Sequence, residues 1–234
     1  MKEQRKRISV GVEGFDELVS GGLLPGSLTL LTGTTGTGKT IFGTQFIHNG
    51  IKDSNEPGLY VTFEEPVENI KENALNFGWD FSEYEKQGKA LFLRYDPFHV
   101  EDIYSLIESN IKKIKAKRVV IDSVSALGLY LKDAPEVRRM VFNISWLLRK
   151  LNCTSILVSE ILPSQKSLSR FGVEEFVTDG IVVLYYLRAD SQFSRSMTIW
   201  KLRGSEHSTK LHPYKITSKG IRVYPKEEAF VKMM

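Results

Sequence analysis

The sequence has few of the features that would place it outside the soluble proteins. It contains one cysteine, Cys153, so no internal disulfide can form, and the apolar run that follows predicts that this thiol is buried. No apolar run approaches the roughly 18 residues that a membrane helix needs. The charged residues 1–7 are not followed by a signal-like apolar stretch. We therefore expect a cytoplasmic protein that does not associate with a membrane.

The sequence also has little net charge of either sign. Its 32 Lys and Arg against 28 Asp and Glu leave a formal charge of +4, an excess too small to indicate nucleic-acid binding by itself. Basic side chains cluster in residues 1–7 and again in residues 112–118. Because the second cluster follows a predicted helix, where cations favour the negative end of the helix dipole, we interpret it as a solvated helix end.

No Pro/Ser-rich linker interrupts the chain. Its 234 residues are 41% hydrophobic, which is enough for one substantial core. We predict a single domain over residues 1–234. It would comprise an amino-terminal segment at 1–26, a nucleotide-binding core at 27–160, and a loop and β-rich part at 161–234.

Buried strands alternate with amphipathic helices through the core. The predicted strands are residues 27–32, 58–63, 90–95, 118–121 and 155–159, and the predicted helices are 41–51, 66–77, 101–115 and 135–151. This alternation predicts an α/β fold with a mainly parallel sheet flanked by helices. The periodic helices then stop, and after a polar loop come β segments at 180–187, 197–202, 214–217 and 220–224. These segments predict a carboxyl-terminal antiparallel extension of the sheet.

Residues 33–40 carry the most specific motif. They read Gly-Thr-Thr-Gly-Thr-Gly-Lys-Thr and match the phosphate-binding pattern G-x-x-x-x-G-K-[ST] between a strand and a helix. The glycines let backbone N–H groups surround a triphosphate, Lys39 adds charge at the β- and γ-phosphates, and the Thr40 hydroxyl suits Mg²⁺. The predicted nucleotide contacts are Thr34, Thr35, Gly36, Thr37, Gly38, Lys39 and Thr40.

Three carboxylates end strands near this loop. Asp122 closes a buried strand, where a carboxylate completes the Mg²⁺ site of a P-loop protein, although it could instead cap the next helix. Glu64 and Glu65 follow the strand after the P-loop helix, so either can orient a water for attack on the γ-phosphate. Acidic residues just before Pro66 would also be favoured at a helix amino terminus.

Two cations form the last candidate group. Strand alternation places Lys201 and Arg203 on the same face, where both could stabilise charge on a transferred phosphoryl group. Taken alone, a Lys-x-Arg pair on a strand is more typical of a solvated face.

Together these stretches resemble the KaiC family of the RecA-like ATPases. The matching residues are 14–18 with 21–22, 33–40, 63–65, 120–123, 171–179 and 201–204. The resemblance implies a RecA-like P-loop NTPase core that binds ATP and Mg²⁺ and uses Glu64 or Glu65 as the catalytic glutamate. It also implies that Lys201, Arg203 and His207 reach the ATP of a neighbouring subunit, typically in a hexameric ring.

Two departures from the two-domain members of the family refine this expectation. One domain is present, which resembles the single-domain archaeal and bacterial members. The autophosphorylated Ser-Thr pair of the second KaiC domain is replaced by Glu175 and Phe176, so we expect hydrolysis and no autokinase activity at this position.

We therefore predict a Mg²⁺-dependent ATPase with a regulatory or signalling role, whose oligomer shares its sites between subunits. The alternative is a recombinase-like or helicase-like ATPase that acts on nucleic acid. Its channel loops, at about 124–135 and 162–170, would need several cations and a stacking aromatic. They offer only Tyr130 with Lys132, and Lys166 with Arg170. A non-hydrolysing nucleotide switch would not need the catalytic carboxylates and cations.

Overall fold

The computed structural model describes residues 6–96, 102–131, 133–162, 167–189 and 192–229. One mixed sheet runs through them. Its strands are β1 (Leu28–Gly33), β2 (Gly58–Thr62), β3 (Ala90–Arg94), β4 (Arg118–Asp122), β5 (Thr154–Glu160), β6 (Gly180–Ala189), β7 (Gln192–Leu202), β8 (His212–Thr217) and β9 (Gly220–Val223). They lie in the order β3-β2-β4-β5-β1-β6-β7-β8-β9.

The predicted fold class is confirmed, with one adjustment to where the sheet changes direction. Strands β1 to β5 pair in parallel, and β6 also pairs in parallel with β1, with Leu30 opposite Ile181. The antiparallel extension therefore begins at β7 and continues through β8 and β9. All six residues of β1 are buried, as expected for a central strand covered on both faces.

Helices cover both faces of the sheet. The helices are α1 (Phe15–Leu18), α2 (Lys39–Ser54), α3 (Val67–Leu75), α4 (Phe81–Lys86), α5 (Asp102–Ile114), α6 (Val124–Gly128), α7 (Ala134–Lys150) and α8 (Glu174–Val177). Helices α1 to α4 contribute to the core on one face, and α5 to α7 contribute to the core on the other. None of the described helices is long and apolar enough to cross a membrane.

The four longer predicted helices are present as α2, α3, α5 and α7, although the predicted start of α5 at Glu101 lies outside the described residues. Helices α4, α6 and α8 were not predicted. They have four to six residues each, which is too short for a helical period to emerge from the sequence.

One residue of the second basic cluster is not a solvated helix end. Arg118 is 1% exposed, and its guanidinium donates to the Glu56 carboxylate at 2.8 Å and to the Phe46 carbonyl at 2.9 Å. Gly50 makes room for it, since a Cβ there would lie 2.2 Å from Arg118 Nε. The interpretation was therefore wrong for Arg118. The buried position predicted for Cys153 is confirmed.

Candidate nucleotide site

The P-loop connects the end of β1 to the start of α2. Gly36 and Gly38 have φ angles of 78° and 88°, in the left-handed region that glycine adopts without strain. Gly38 is also the residue that precedes the 16-residue helix α2. The loop therefore presents backbone N–H groups at the positive end of a long helix, which is a favourable site for phosphate.

Hydrogen bonds within the loop hold its shape. The Lys39 ammonium donates to the carbonyls of Gly33 and Thr34, both at 2.9 Å. The Thr37 hydroxyl donates to the Thr34 carbonyl at 2.8 Å, and the Tyr214 hydroxyl of β8 donates to the Thr37 carbonyl at 2.6 Å. Burial lowers the pKa of Lys39, and the nearby carboxylates of Glu160 and Asp122 oppose this shift. The loop is thus braced by its own side chains and by β8.

Asp122 lies directly beside the P-loop. Its Oδ2 accepts hydrogen bonds from the Thr40 hydroxyl at 3.0 Å and from the Tyr60 hydroxyl at 2.5 Å. Burial raises the pKa of Asp122, and the hydrogen bonds from Tyr60 and Thr40 and the charge of Lys39 lower it. The same burial raises the pKa of Tyr60 well above its ordinary value, so Tyr60 remains a donor. Tyr60 was not predicted, because a tyrosine within a buried strand resembles core.

The oxygen atoms of Thr40 and Asp122 fit the Mg²⁺ ion expected with the nucleotide. In the part of the chain that the structure describes, no three His, Cys, Asp or Glu side chains could hold a metal by themselves. Mg²⁺ in nucleotide sites is typically bound by one or two protein ligands and completes its shell with water and substrate phosphates.

A cavity of about 340 Å³ opens between the P-loop and the carboxyl ends of β2, β4 and β5. Its lining residues are Thr35, Gly36, Gly38, Lys39, Thr40, Ile41, Thr62, Glu64, Glu65, Asp122 and Glu160. Both predicted glutamates therefore face the P-loop. Burial raises the pKa of Glu64, with further contributions from the carboxylates of Glu160 and Asp122. Burial and the Asp122 carboxylate raise the pKa of Glu65.

Glu160 is a cavity residue that was not predicted. It ends β5 in the same way that Asp122 ends β4. Because adjacent parallel strands end at the same edge of a sheet, this shared position could have identified it. Glu160 adds to the negative charge facing Lys39, which suits a pocket that binds its nucleotide together with a cation.

The two predicted cations lie far from this cavity. Lys201 pairs with Ile181, which is opposite Leu30 near the amino end of β1, whereas the P-loop begins after the carboxyl end of β1 at Gly33. Three residue steps of strand separate these levels, roughly 10 Å at about 3.3 Å per residue. Lys201 and Arg203 are thus at the amino edge of the sheet and do not line the nucleotide cavity of their own subunit.

Main-chain carbonyls of α8 hold both cations. Lys201 Nζ donates to the Glu175 carbonyl at 2.5 Å, and Arg203 Nη2 donates to the Phe176 carbonyl at 3.0 Å. Strand β7 ends at Leu202, so Arg203 lies in the following turn and strand alternation does not explain the pairing. His207 lies further along, with Nδ1 3.1 Å from the Ser208 carbonyl, and it does not line the cavity.

A second cavity, of about 680 Å³, is lined in part by Arg203 and by three arginines of α7, namely Arg138, Arg139 and Arg149. It is formed by Val177 and by side chains of α7, including Phe142 and Trp146, together with Phe176. These three aromatic side chains are each 58% or 59% exposed. Of the channel-loop residues considered for nucleic acid, Tyr130 is exposed, whereas Lys132 and Lys166 lie outside the described residues.

The chain is similar to proteins of one known family. The profile of the KaiC ATPase family matches residues 8–228. A circadian clock oscillator protein KaiC from Thermosynechococcus vestitus is 40% identical over 94% of this chain, and a UPF0273 protein from Methanopyrus kandleri is 39% identical over 97%. The chain spans 44% of that KaiC and 95% of the UPF0273 protein.

A solved structure is also similar over its full length. The crystal structure of a KaiC-like protein from Pyrococcus horikoshii superposes with a TM-score of 0.87 at 39% identity, and the match covers 95% of this chain and 100% of that one. With its P-loop, its mixed sheet and these relatives, the chain belongs to the KaiC family of ATPases within the RecA superfamily.

Proposed function

We propose that this protein is a Mg²⁺-dependent ATPase that works as an oligomer, in which each active site is completed by a neighbouring subunit. One observation carries the proposal: the P-loop and the Lys201–Arg203 pair lie at opposite edges of the same sheet. Cations that stabilise a transferred phosphoryl group must approach it closely. Since Lys201 and Arg203 cannot do so within one subunit, they would act on the nucleotide of the next subunit.

The residues of the cavity suit hydrolysis. The P-loop amides and Lys39 would hold the triphosphate, and Mg²⁺ held by Thr40 and Asp122 would neutralise phosphate charge when bound. Glu64 or Glu65 would orient a water and accept its proton as the water oxygen attacks the γ-phosphorus. The bond from phosphorus to the β–γ bridging oxygen breaks, and ADP and inorganic phosphate leave. The raised pKa of both glutamates makes each a better proton acceptor than an ordinary carboxylate.

The surface around Arg203 supports assembly. Phe142, Trp146 and Phe176 expose large apolar side chains in one cavity with Arg203, and exposed apolar patches of this kind mark interaction sites. A subunit docked there would cover the patch and bring its nucleotide cavity to the two cations. We propose a hexameric ring, by analogy with the family.

The proposed role is regulatory or signalling and is drawn from the relatives named as circadian clock oscillator proteins. Glu175 and Phe176 offer no hydroxyl, so the energy of ATP would be released by hydrolysis without phosphorylation at these positions. Turnover should be unchanged by single-stranded DNA, and strong stimulation by it would favour a nucleic-acid motor instead.

Mixing two inactive variants tests the shared site. Lys39→Ala removes the P-loop cation, and Arg203→Ala removes the cation presented to the neighbour. In mixed oligomers, a Lys39→Ala subunit can serve the intact P-loop of an Arg203→Ala neighbour, so ATPase activity should return in part. The rate is measured against mixing ratio at constant total protein, after subunit exchange has been verified.

The control is the double variant Lys39→Ala/Arg203→Ala. It should remain inactive alone and when mixed with either single variant, because no such mixture contains both an intact P-loop and an intact Arg203. Dilution of the wild-type protein should also lower its specific activity as oligomers dissociate. If no mixing ratio exceeds the sum of the two variants measured separately, the shared-site mechanism is wrong.

A further inference from the structure

Glu174 is a buried carboxylate that the hydrolytic mechanism does not use. It is 0% exposed and accepts hydrogen bonds from the Ser159 hydroxyl at 3.1 Å and the Ser169 hydroxyl at 2.7 Å. The amides of Phe171 and Val173 donate to it at 3.4 and 3.1 Å. None of the ion pairs in the described part of the chain includes it. Since a buried polar group is costly unless it is hydrogen-bonded, these four bonds hold Glu174 in one defined position.

On one side, Glu174 is tied to the strand that ends in the nucleotide cavity. Its partner Ser159 directly precedes Glu160 in β5. The Ser159 hydroxyl is also 3.5 Å from the Ser125 hydroxyl of α6. The Ser125 hydroxyl in turn accepts a hydrogen bond from the Glu160 amide at 2.8 Å. Glu174 is thus connected to the backbone of a residue that lines the cavity, although it does not line the cavity itself.

On the other side, Glu174 is the first residue of α8, and the next two residues hold the cations. The carbonyls of Glu175 and Phe176 accept from Lys201 and Arg203. The ion pair of Arg203 with Asp179 is long, at 3.8 Å. The position of both cations therefore depends mainly on where α8 lies.

We infer that Glu174 is a positioning residue that fixes α8 against β5 and thereby sets where Lys201 and Arg203 are presented to the neighbouring subunit. The inference rests on the proposed shared site. It also assigns a role to part of the segment 171–179, because the carboxylate links each subunit's own nucleotide cavity to the cations that it supplies.

The test is Glu174→Gln, which keeps the shape but turns one acceptor oxygen into a donor that faces hydroxyl and amide donors. Nucleotide binding should stay within about twofold of wild type, because the P-loop is untouched, whereas kcat should fall about tenfold or more, toward the loss for Arg203→Ala. The control is Glu72→Gln, an exposed glutamate of α3 that lines neither cavity, and it should have little effect.

Complementation distinguishes positioning from a general structural role. If Glu174 acts through the cations, Glu174→Gln subunits should regain activity when mixed with Lys39→Ala and should not when mixed with Arg203→Ala. The opposite pattern would mean that Glu174 serves its own P-loop, and rescue by neither variant would mean a general structural role. Both patterns would overturn the inference.

Two further measurements keep the test decisive. If Glu174→Gln does not fold, Ser169→Ala removes one of the four bonds to Glu174, together with the contacts of Ser169 with Glu175 and Gly172. It should show the same complementation pattern with a smaller loss. In an Arg203→Ala background, Glu174→Gln should cause little additional loss, because residues that act through one another are not additive. If Lys39→Ala and Arg203→Ala do not complement each other, the shared site itself is refuted. If they do complement each other but Glu174→Gln is not rescued by Lys39→Ala alone, only this inference is refuted.

Discussion

The two edges of the sheet are built in different ways. At the carboxyl edge, the nucleotide cavity gathers Lys39 and four carboxylates from the P-loop and the ends of three strands, and its central Asp122 is held by two hydroxyl donors. At the amino edge, Arg203 is 53% exposed on its side chain and rests on a carbonyl of a four-residue helix. The first edge is organised to bind a ligand within one subunit, whereas the second presents charge outward. Changes at the two edges should therefore affect different steps.

The largest expected effect separates the edges most clearly. Lys39→Ala should abolish both nucleotide binding and turnover, whereas Arg203→Ala should bind ATP normally and lose about 10³-fold in kcat, the scale of a transition-state arginine. Binding is measured by titration with a fluorescent ATP analogue and turnover by phosphate release. Lys86→Ala, an exposed cation of α4 that lines neither cavity, is the control. Weak ATP binding by Arg203→Ala would place the arginine in its own subunit's cavity.

A smaller effect is expected within the nucleotide cavity itself. Glu64→Gln or Glu65→Gln should retain ATP binding while lowering kcat about 10²-fold, since a positioned base contributes on that scale. The variant with the larger loss identifies the base, and Glu68→Gln, at an exposed position of α3, is the control. Labelled γ-phosphate should appear as free phosphate. Stoichiometric label on residues 174–178 would instead reveal the kinase activity that we do not expect.

Tyr60→Phe tests how Asp122 is kept ionised. The substitution removes a donor to Oδ2 without changing the ring, so the pKa of Asp122 should rise. Asp122 would then lose its charge at a higher pH, and the acid limb of the rate profile should move upward. Apparent Mg²⁺ affinity should fall about tenfold, the scale of one hydrogen bond to a charged group. Asp122→Asn should weaken it further, and an unchanged Mg²⁺ titration for both variants would remove Asp122 from the metal site.

The smallest effect on catalysis is expected from His48, which lies in α2 and stacks on Trp79. Burial lowers its pKa from 6.5 to about 4, so the folded protein keeps it neutral while the unfolded chain takes up a proton. The free energy of unfolding therefore has its highest contribution from neutral His48 above pH 6.5. As the pH falls from 6.5 toward 4, that free energy decreases by at most about 3 kcal/mol. Urea unfolding at several pH values measures this loss. His48→Gln should make the free energy of unfolding depend less on pH over this range, with little change in ATPase rate near pH 7.5.

Residues at the carboxyl edge could be predicted because each follows a recognisable local pattern. Asp122, Glu64 and Glu65 all come directly after buried strands, and the P-loop has fixed spacing between a strand and a helix. Glu160 follows the same rule and was missed only because no motif marks it. Tyr60 has no such pattern, since only its burial beside Asp122 distinguishes it from a core tyrosine.

The sequence by itself determined the phosphate-binding loop and the alternation of strands and helices, because these depend on local spacing and periodicity. The family was identified from the resemblance of particular stretches of sequence. Only the tertiary structure decided where Lys201, Arg203 and Glu174 lie. Strand direction and register come from pairing between distant segments, and the parallel β6 followed by the antiparallel β7 carries the two cations back to the amino edge. In the same way, the burial of Glu174 depends on Ser159 and Ser169, which local sequence does not bring together.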